Sequence, residues 1–348
     1  MVGRLAVALA GLVLAAGCGG ASGASGAAPT PGQRATCANK DVTIAVPVTP
    51  PNLVHLPPFV AQDMGIFKDE GLNVTIARFE GGVGAFRAVA SGSVALAGTS
   101  SEPFITAVSQ GADVKAVYSY APNVDVSFVV GPSIKTPADL KGKRIGIQEA
   151  GGFADVMSRL VLKKYGISPN DVKFVTTTTA GRVTELIAGN VDSGVLHIDQ
   201  TLTIQARSPG IHVLANMWDV VSDYQYSLWA VSGNLIRNEP ATVECMVRAL
   251  VRADRAMYDT SKRQQVLDIA VKYTKEDPNV VAQTYDQLVK AKAWPQNQAI
   301  PQANIAGTEK SLKDTNQITT VPKFSDLVDL SFANKVVAQL GRVSNFPY

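Results

Sequence analysis

The chain has little charge and few cysteines for its size. Its 348 residues hold 32 Lys and Arg against 29 Asp and Glu, and charged residues make up 18%, below the roughly 25% of an average soluble domain. A net charge of +3 over this length excludes the basic surface that binds nucleic acid. With 46% apolar residues the chain can bury a large core and should form about two domains of roughly 150 residues each.

Motifs of common enzyme classes are also absent. No Gly-x-Ser-x-Gly elbow, P-loop or dinucleotide fingerprint occurs in the sequence. The three histidines, His55, His197 and His212, lie far apart, and no metal-ligand spacing connects them. We therefore expect no metal site and no cofactor.

The one long apolar run lies at the N-terminus. Arg4 gives a short positive start, and apolar residues then continue to Ala16. This run is shorter than the roughly 20 residues that cross a bilayer, and it indicates a secretory signal peptide over residues 1–17. No later stretch reaches that length, so we expect the rest of the chain to be soluble.

The signal peptide ends in LAAGC, which resembles a bacterial lipoprotein box with Cys18 as the lipidated residue. The strict pattern has a different third residue before the cysteine, where this chain has Ala15. Residues 19–32 are Gly, Ala, Ser, Thr and Pro, which is typical of a flexible tether. We expect 18–40 to anchor the protein to the outer face of the cell membrane. The alternative is an ordinary signal peptide cut after a residue such as Ala28, which would release the protein.

The other cysteines are Cys37, just before the first predicted strand, and Cys245, in a predicted C-terminal helix. An exported chain passes through an oxidising compartment, where disulfides form. We favour a disulfide between them that ties the start of the fold to that helix. The alternative is two buried thiols, because a sequence does not show whether two Cα atoms come close enough.

From residue 41 onward, short β-branched runs alternate with helical stretches, which predicts α/β lobes with largely parallel sheets. Segments 84–94 and 181–191 share a helix, a glycine stop and a strand entry at matching positions. This echo indicates two similar lobes with a cleft between them, although any β-α-β unit can leave its helix through a glycine. Ligands of open α/β sheets bind at the carboxyl ends of strands, where helix N-termini point.

After Trp229 the pattern changes to long helices between 241 and 290, which we expect to pack on the first lobe. The chain would then cross between the lobes near 128–133 and again near 226–231, and two crossings form a hinge. The predicted domains are 41–130 with 229–348 for the first lobe and 131–228 for the second.

Several motifs in this order resemble a known family. They are FVAQDMGIFKDEGLNV at 59–74, Gly81-Gly82 followed by ASGSV at 90–94, QGADVK at 110–115, IKTPADLKGKRIGI at 134–147 and YGISPNDV at 165–172. Together they resemble the solute-binding proteins of ABC importers, in the nitrate, sulfonate, taurine and thiamine-precursor group. The likeness covers residues 41–260 and is only generally helical beyond them.

The resemblance implies the type II periplasmic binding protein fold. This is an α/β fold of two lobes with a double-crossover hinge and a C-terminal helical segment packed on lobe I. It also implies that a monomer captures a small-molecule solute in the cleft, closes around it and delivers it to an ABC permease and ATPase complex.

The resemblance also places ligand loops at strand ends, here at 49–55, 98–101 and 149–153. The last two precede helices, so their N–H groups and hydroxyls could meet a polar or anionic group. The alternative for Ser100 and Ser101 is plain N-capping. The candidate ligand-binding residues are Thr49, Asn52, His55, Gly82, Thr99, Ser100, Ser101, Glu102, Tyr120, Glu149, Gly151, Gly152, Phe153, His197 and Tyr226.

These loops contain no Arg or Lys, which argues against a multiply charged anion held by bidentate pairs. Glu102 and Glu149 could each satisfy a helix dipole or, if they face the cleft, favour an amine. Asp199 is either a cleft residue or a helix cap, and we favour the cap. Some aromatic residues near the crossings could stack a flat ligand: Tyr118, Tyr120, Phe128, Trp218, Tyr224, Tyr226 and Trp229. An amine-bearing aromatic compound and an organosulfonate are equally compatible with this composition.

An enzyme of the same fold is the alternative class, since the resemblance extends to thiamine-pyrimidine synthases and a chorismate-processing lyase. Those enzymes are cytoplasmic, whereas this chain carries a predicted export signal. A sensing protein that reports ligand occupancy to a membrane kinase would use the same cleft. We therefore expect a binding protein rather than an enzyme.

Overall fold

The computed structural model describes residues 36–221, 223–298 and 300–346. The predicted signal peptide, the predicted lipidation site Cys18 and most of the predicted tether lie outside the described residues. Within the described ranges, none of the helices combines the length and the apolar character needed to cross a membrane.

The strands form two five-stranded sheets. The strands are β1 Lys40–Val46, β2 Leu72–Arg78, β3 Leu96–Ser100, β4 Val114–Ala121, β5 Val126–Val130, β6 Arg144–Ile147, β7 Lys173–Thr176, β8 Ser193–His197, β9 His212–Asn216 and β10 Ser227–Ser232. The first sheet has the order β2-β1-β3-β10-β4, and the second has the order β7-β6-β8-β5-β9.

Both sheets are mixed, so the prediction of largely parallel sheets was wrong for two strands. β1 is parallel to β2 and β3, and β6 is parallel to β7 and β8. In contrast, β10 is antiparallel to β3 and β4, and β5 is antiparallel to β8 and β9. Each of these two strands follows a passage from one sheet to the other that has no α-helix. Two consecutive strands can lie parallel in one sheet only if a long crossover, usually an α-helix, connects them, and these two passages have none.

The chain passes between the sheets at residues 122–125 and again at 217–226. The first passage lies earlier than the predicted 128–133, because Val126–Val130 is already paired with β8 and β9 in the second sheet. The domain boundaries at 130 and 228 stay a prediction.

Helices pack on both sheets, and the described elements after β10 are all helical. They are α1 Pro57–Asp63, α2 Ile66–Asp69, α3 Gly82–Ala90, α4 Ser101–Ser109, α5 Phe153–Lys164, α6 Gly181–Ile187, α7 Ile198–Arg207, α8 Gly233–Asn238, α9 Pro240–Ala256, α10 Arg263–Thr274, α11 Pro278–Lys290, α12 Gln302–Asp314, α13 Phe324–Leu327 and α14 Ser331–Leu340. Several begin at a proline, whose fixed φ suits the first turn.

The C-terminal helices pack on elements of the first sheet, in agreement with the sequence pattern. α9 contacts α1, α2 and α14, while α13 and α14 contact β4. In α9, Val243, Met246, Val247 and Leu250 are fully buried at the spacing of one helix face. Burying each such side chain contributes roughly 1.5–3 kcal/mol. α11 also reaches α7, which lies beside the second sheet.

A disulfide joins Cys37 to Cys245, with the two Cα atoms 6.5 Å apart. It connects the segment before β1 to α9. The same segment passes close to Gly71, whose carbonyl accepts a hydrogen bond from the Lys40 N–H at 2.9 Å. Gly71 has φ +74°, and a Cβ there would overlap the Cys37 carbonyl oxygen at 1.3 Å. Glycine is therefore required at this contact.

Candidate functional site

A cavity of about 30 Å³ lies where strand ends of the two sheets meet. Its lining residues stand at the end of a strand or beside the start of the next element. They are Pro47, Val48, His55, Gly81, Gly82, Ser100, Gln148, Glu149, Phe153, His197, Tyr226 and Ser227. This volume holds about two water molecules. A larger solute would enter only if the two sheets moved apart.

The Tyr226 hydroxyl stands at the centre of this site. It lies 3.1 Å from Nε2 of His55 and 3.3 Å from Nε2 of His197. His55 follows β1 of the first sheet, and His197 ends β8 of the second. Tyr226 is 3% exposed. One hydroxyl therefore joins side chains from both halves of the molecule.

An acidic side chain orients His197. Its Nδ1 lies 2.8 Å from Oδ1 of Asp125, and both residues are buried. This contact favours the proton on Nδ1 and leaves Nε2 free to accept a hydrogen bond from Tyr226. Burial lowers the pKa of His55 well below its usual value, with the His197 charge as a second cause. His55 is therefore neutral at pH 7.

Two polar atoms on the lining residues have no hydrogen-bond partner in the described part of the chain. They are the Oγ of Ser227 and the Nδ1 of His55. A buried polar group without a partner costs roughly 1–3 kcal/mol. Ser100 occupies the N-cap position of α4, yet its side chain makes no capping hydrogen bond. The capping alternative for Ser100 was therefore wrong, since its hydroxyl bonds to the carboxyl of Glu102 instead. The Ser227 hydroxyl and Nδ1 of His55 are open to a ligand.

Glu102 is fully buried beside the cavity rather than in its lining. It lies in the first turn of α4, and the hydroxyl of Tyr224 donates a hydrogen bond to its Oε1. Burial raises the pKa of Glu102 to about 7, and the hydrogen bond from Tyr224 opposes this rise. Glu102 is therefore partly protonated at neutral pH.

Glu149 connects the two halves of the molecule. It follows β6 of the second sheet, and its Oε1 accepts a hydrogen bond of 2.8 Å from the N–H of Val83 at the start of α3. A Cβ on Gly81 would lie 2.1 Å from the same oxygen, so this approach needs glycine. Burial raises the pKa of Glu149, and the Val83 N–H opposes the rise. Glu149 thus meets the N-terminus of a helix in the other half rather than that of its own α5.

Asp199 makes a second connection between the halves and also contacts the start of its own helix, as expected, because its Oδ1 accepts a hydrogen bond of 2.8 Å from the N–H of Gln200 in the first turn of α7. Its Oδ1 accepts a hydrogen bond from the side-chain amide of Asn52 at 3.1 Å, and its Oδ2 accepts one from the N–H of Leu53 at 3.0 Å. His197, not Asp199, occupies the N-cap position of α7. The side-chain amide of Asn52 therefore bonds to another side chain of the protein and does not line the cavity.

Several predicted site residues do not line the cavity. Thr99 donates its hydroxyl to the Gly82 carbonyl at 2.9 Å, and the Gly151 N–H donates to Asp155. Tyr120 belongs to the core, because its ring stacks on Trp229 with centroids 4.2 Å apart. The residues outside the lining are Thr49, Asn52, Thr99, Ser101, Glu102, Tyr120, Gly151 and Gly152.

Among the described aromatic side chains, Phe153 and Tyr226 are the ones that line the cavity. Their ring centroids are 4.4 Å apart. The other aromatic candidates lie elsewhere: Tyr118, Phe128 and Trp229 are fully buried in the core, and Trp218 is 46% exposed. Phe153 and Tyr226 therefore form the aromatic wall of the cavity.

Sequence reasoning missed Gln148, Ser227 and the nearby Arg182. Gln148 and Ser227 line the cavity next to residues that were singled out. Arg182 lies in α6, is 2% exposed and donates a hydrogen bond from Nη1 to Oε1 of Gln148. One feature of the sequence points to Arg182: it is a charged residue four positions before the buried Leu186, and it therefore lies on the apolar face of a helix.

The described residues contain no group of three or more His, Cys, Asp or Glu side chains that could hold a metal ion. The polar groups of the cavity lining are hydroxyls, two imidazoles, one carboxylate and one amide, and Phe153 adds an aromatic ring.

Comparisons with known proteins fit this arrangement. A family model described as NMT1/THI5 like matches residues 52–263. A binding protein of Brucella abortus (strain 2308) is 25% identical over 219 residues, which cover 63% of this chain and 67% of that protein. The taurine-binding periplasmic protein of Escherichia coli (strain K12) is 25% identical over 211 residues, covering 57% and 62%. The 4-amino-5-hydroxymethyl-2-methylpyrimidine phosphate synthase THI13 of Saccharomyces cerevisiae is 28% identical over 149 residues, covering 42% and 43%.

Solved structures share the fold. A protein of Bordetella bronchiseptica RB50 has a TM-score of 0.77 at 22% identity, covering 86% of this chain and 98% of that one. The alkanesulfonate-binding protein SsuA of Xanthomonas axonopodis pv. citri, bound to MOPS, has a TM-score of 0.67 at 20% identity, covering 84% and 99%. The two mixed sheets with their helices match the fold of these structures and of the periplasmic nitrate-binding protein NrtA of Synechocystis PCC 6803, which confirms the predicted α/β fold class.

Proposed function

Because the chain belongs to the NMT1/THI5-like family, we propose that it captures a small organic solute between its two sheets and delivers it to the permease and ATPase of an ABC importer. The observation that carries this proposal is the cavity at the strand ends, whose polar groups come from both sheets. Relatives named as binding proteins support it.

Capture requires that the solute hold the two halves together. In an opened form, Ser100 and Ser227 of the first sheet and His197 of the second would be exposed to solvent. A solute that bonds to groups on both sides favours closure by its differential affinity for the closed form. The links from Glu149 to Val83 and from Asp199 to Asn52 add to closure, and each such hydrogen bond contributes roughly 0.5–1.5 kcal/mol.

Two solute classes remain in the proposal. The taurine-binding relative supports an organosulfonate or taurine-like compound, and the pyrimidine phosphate synthase relative supports a thiamine-pyrimidine-like compound. The proposed contact residues are His55, Gly82, Ser100, Gln148, Glu149, Phe153, His197, Tyr226 and Ser227.

The proposed place of action is the outer face of the cell membrane. The predicted signal peptide and Cys18 would export and anchor the chain, and residues 19–32 would let the folded body reach a permease. Relatives and structural neighbours described as periplasmic support an extracytoplasmic location.

The alternative function is catalysis by the same fold. The synthase relative favours it, as does the chain of hydrogen bonds from Asp125 through His197 and Tyr226 to His55. Chemical change of a bound compound during incubation, followed by mass spectrometry, would identify an enzyme. Recovery of the unchanged compound identifies a binding protein.

The Phe153→Ala variant tests where the solute binds. Wild-type protein, unfolded and refolded to remove bound compounds, is screened by thermal shift against sulfonates, taurine, nitrate, thiamine pyrimidines and flavins, since a bound compound raises the melting temperature. Loss of the Phe153 ring should weaken binding of the responding compound about tenfold, because an aromatic contact contributes roughly 0.5–1.5 kcal/mol beyond its buried area.

Phe174→Ala is the matched control. Phe174 is a half-buried phenylalanine on β7 of the second sheet, stacked under Arg159 at 4.7 Å and away from the cavity. Its variant should bind as the wild type does. Equal binding by the wild type and Phe153→Ala would place the solute elsewhere.

A further inference from the structure

Arg182 is a buried cation without a counter-ion. In the described parts of the chain, the arginine ion pairs involve Arg144, Arg159, Arg237, Arg248, Arg252 and Arg263, and none involves Arg182. Its Nη1 donates to Gln148, while its Nε has no partner within those parts. Burial lowers the pKa of Arg182 to about 10, so the group stays charged at neutral pH.

An uncompensated buried charge is costly, and a folded protein normally pairs it. This chain follows that rule at its other deeply buried arginine. Arg248 is 1% exposed, and its guanidinium pairs with Glu70 at 2.6 Å and with Glu244 at 3.0 Å. The contrast indicates that the missing partner of Arg182 is supplied from outside the chain.

The second sheet provides room for this side chain. Gly146 on β6 and Gly194 on β8 are paired neighbours. A Cβ on Gly146 would lie 3.5 Å from Cγ of Arg182, and a Cβ on Gly194 would lie 3.6 Å from its Cδ. The aliphatic part of Arg182 therefore lies directly against the two glycines.

Arg182 is separated from the cavity by one side chain. Gln148 lines the cavity and accepts the hydrogen bond from Arg182, while its amide nitrogen donates to Thr179 at 2.8 Å. The charge of Arg182 also acts on Tyr226, where it opposes the rise in pKa that burial causes. The guanidinium thus lies close to two groups of the proposed site.

One of the helix starts at the cavity is already occupied. The N-terminus of α3, a helix of nine residues, faces the cavity at Gly82, but the carboxylate of Glu149 takes the N–H of Val83. A second anion beside Glu149 would be repelled. An anionic ligand group is therefore kept from the start of α3, whereas the charge of Arg182 attracts it.

We propose that Arg182 determines specificity by pairing with a sulfonate or carboxylate group of the captured solute, once the Gln148 amide turns aside. This inference rests on the proposed function and selects the anion-bearing class among its solutes. Guanidinium groups bind such planar or trigonal oxygen groups through two parallel hydrogen bonds.

The test compares small probes that differ in charge. Taurine, ethanesulfonate and ethanolamine are titrated calorimetrically into the full wild-type chain and into Arg182→Gln, Arg182→Lys and Arg342→Gln. Arg342 is an exposed arginine that bonds to Gln298, away from the cavity, and its variant controls for net charge. We expect both sulfonates to bind the wild type and Arg342→Gln, to bind Arg182→Gln at least tenfold more weakly, and to bind Arg182→Lys with intermediate affinity. Ethanolamine should not distinguish the variants.

The melting temperature without ligand provides a second readout. Because the substitution removes an unpaired buried charge, Arg182→Gln should be at least as stable as the wild type. A clear loss of stability would make Arg182 a structural residue and overturn the inference. Unchanged sulfonate binding by Arg182→Gln, or binding of only neutral or cationic compounds by the wild type, would also overturn it while leaving the proposed function in place. If no compound of any class binds the wild type, the proposed function fails as well.

Discussion

Replacing Glu102 with glutamine is expected to change how stability depends on pH. As the pH rises from about 4 to about 8, the free energy of unfolding of the variant should increase by about 3 kcal/mol relative to that of the wild type. Glu102 is fully buried, and burial raises its pKa from 4.5 to about 7. Above that pH the folded wild type must hold a charged carboxylate in its interior. Glutamine has nearly the same shape and can still accept the hydrogen bond from Tyr224, but it never becomes charged.

The sign of the effect follows from proton binding. Between about pH 4.5 and pH 7 the folded chain keeps the Glu102 proton, whereas the unfolded chain releases it. The wild type therefore loses stability as the pH rises through this window, and the loss is constant above it. His55, whose pKa is lowered, acts in the opposite direction as the pH falls below about 6.5. Its contribution is the same in both proteins and cancels in their difference.

Urea unfolding of both proteins at several pH values measures this difference. Glu80→Gln is the matched control, since Glu80 is exposed and its variant should follow the wild type at every pH. A constant gap between wild type and Glu102→Gln from acid to alkaline pH would show that Glu102 does not titrate in this way.

Removal of the disulfide is expected to lower the free energy of unfolding by about 2–5 kcal/mol. The bond joins residues that are 208 positions apart, so it closes a very long loop and lowers the conformational entropy of the unfolded chain. In the folded state it ties the segment before β1 to α9. The double variant Cys37→Ala/Cys245→Ala leaves no unpaired thiol at either position.

Reductant provides the control for this experiment. The wild type treated with dithiothreitol should unfold at the same urea concentration as the double variant, and the double variant should not respond to dithiothreitol. If the oxidised wild type and the double variant unfold at the same urea concentration, the bond contributes nothing to stability.

The sequence was most informative where local chemistry determines structure. The change of pattern after Trp229 predicted the long helices that the structure has at Pro240–Ala256, Arg263–Thr274 and Pro278–Lys290. The rule that ligands meet strand ends led to His55, Ser100, Phe153 and His197, which all line the cavity. The strands and helices that position these residues can be recognised from the sequence within about ten positions of each residue.

What depends on contacts distant in sequence could not be predicted. Asp199 is a natural capping residue, and nothing near it shows that its partner is Asn52, 147 positions away. Strand direction changed at β5 and β10 because the chain left one sheet for the other. Arg182 could not be predicted either, because it lies on a helix outside the predicted ligand loops and packs across two glycines that are distant in sequence.

Capture of a solute between the two sheets can be tested by native mass spectrometry of the refolded chain mixed with a pool of small metabolites. We expect a single small molecule per chain, present on the wild type and Phe174→Ala and depleted on Phe153→Ala. No bound compound in any pool, or an equal amount on all of these proteins, would contradict capture at the junction of the two sheets.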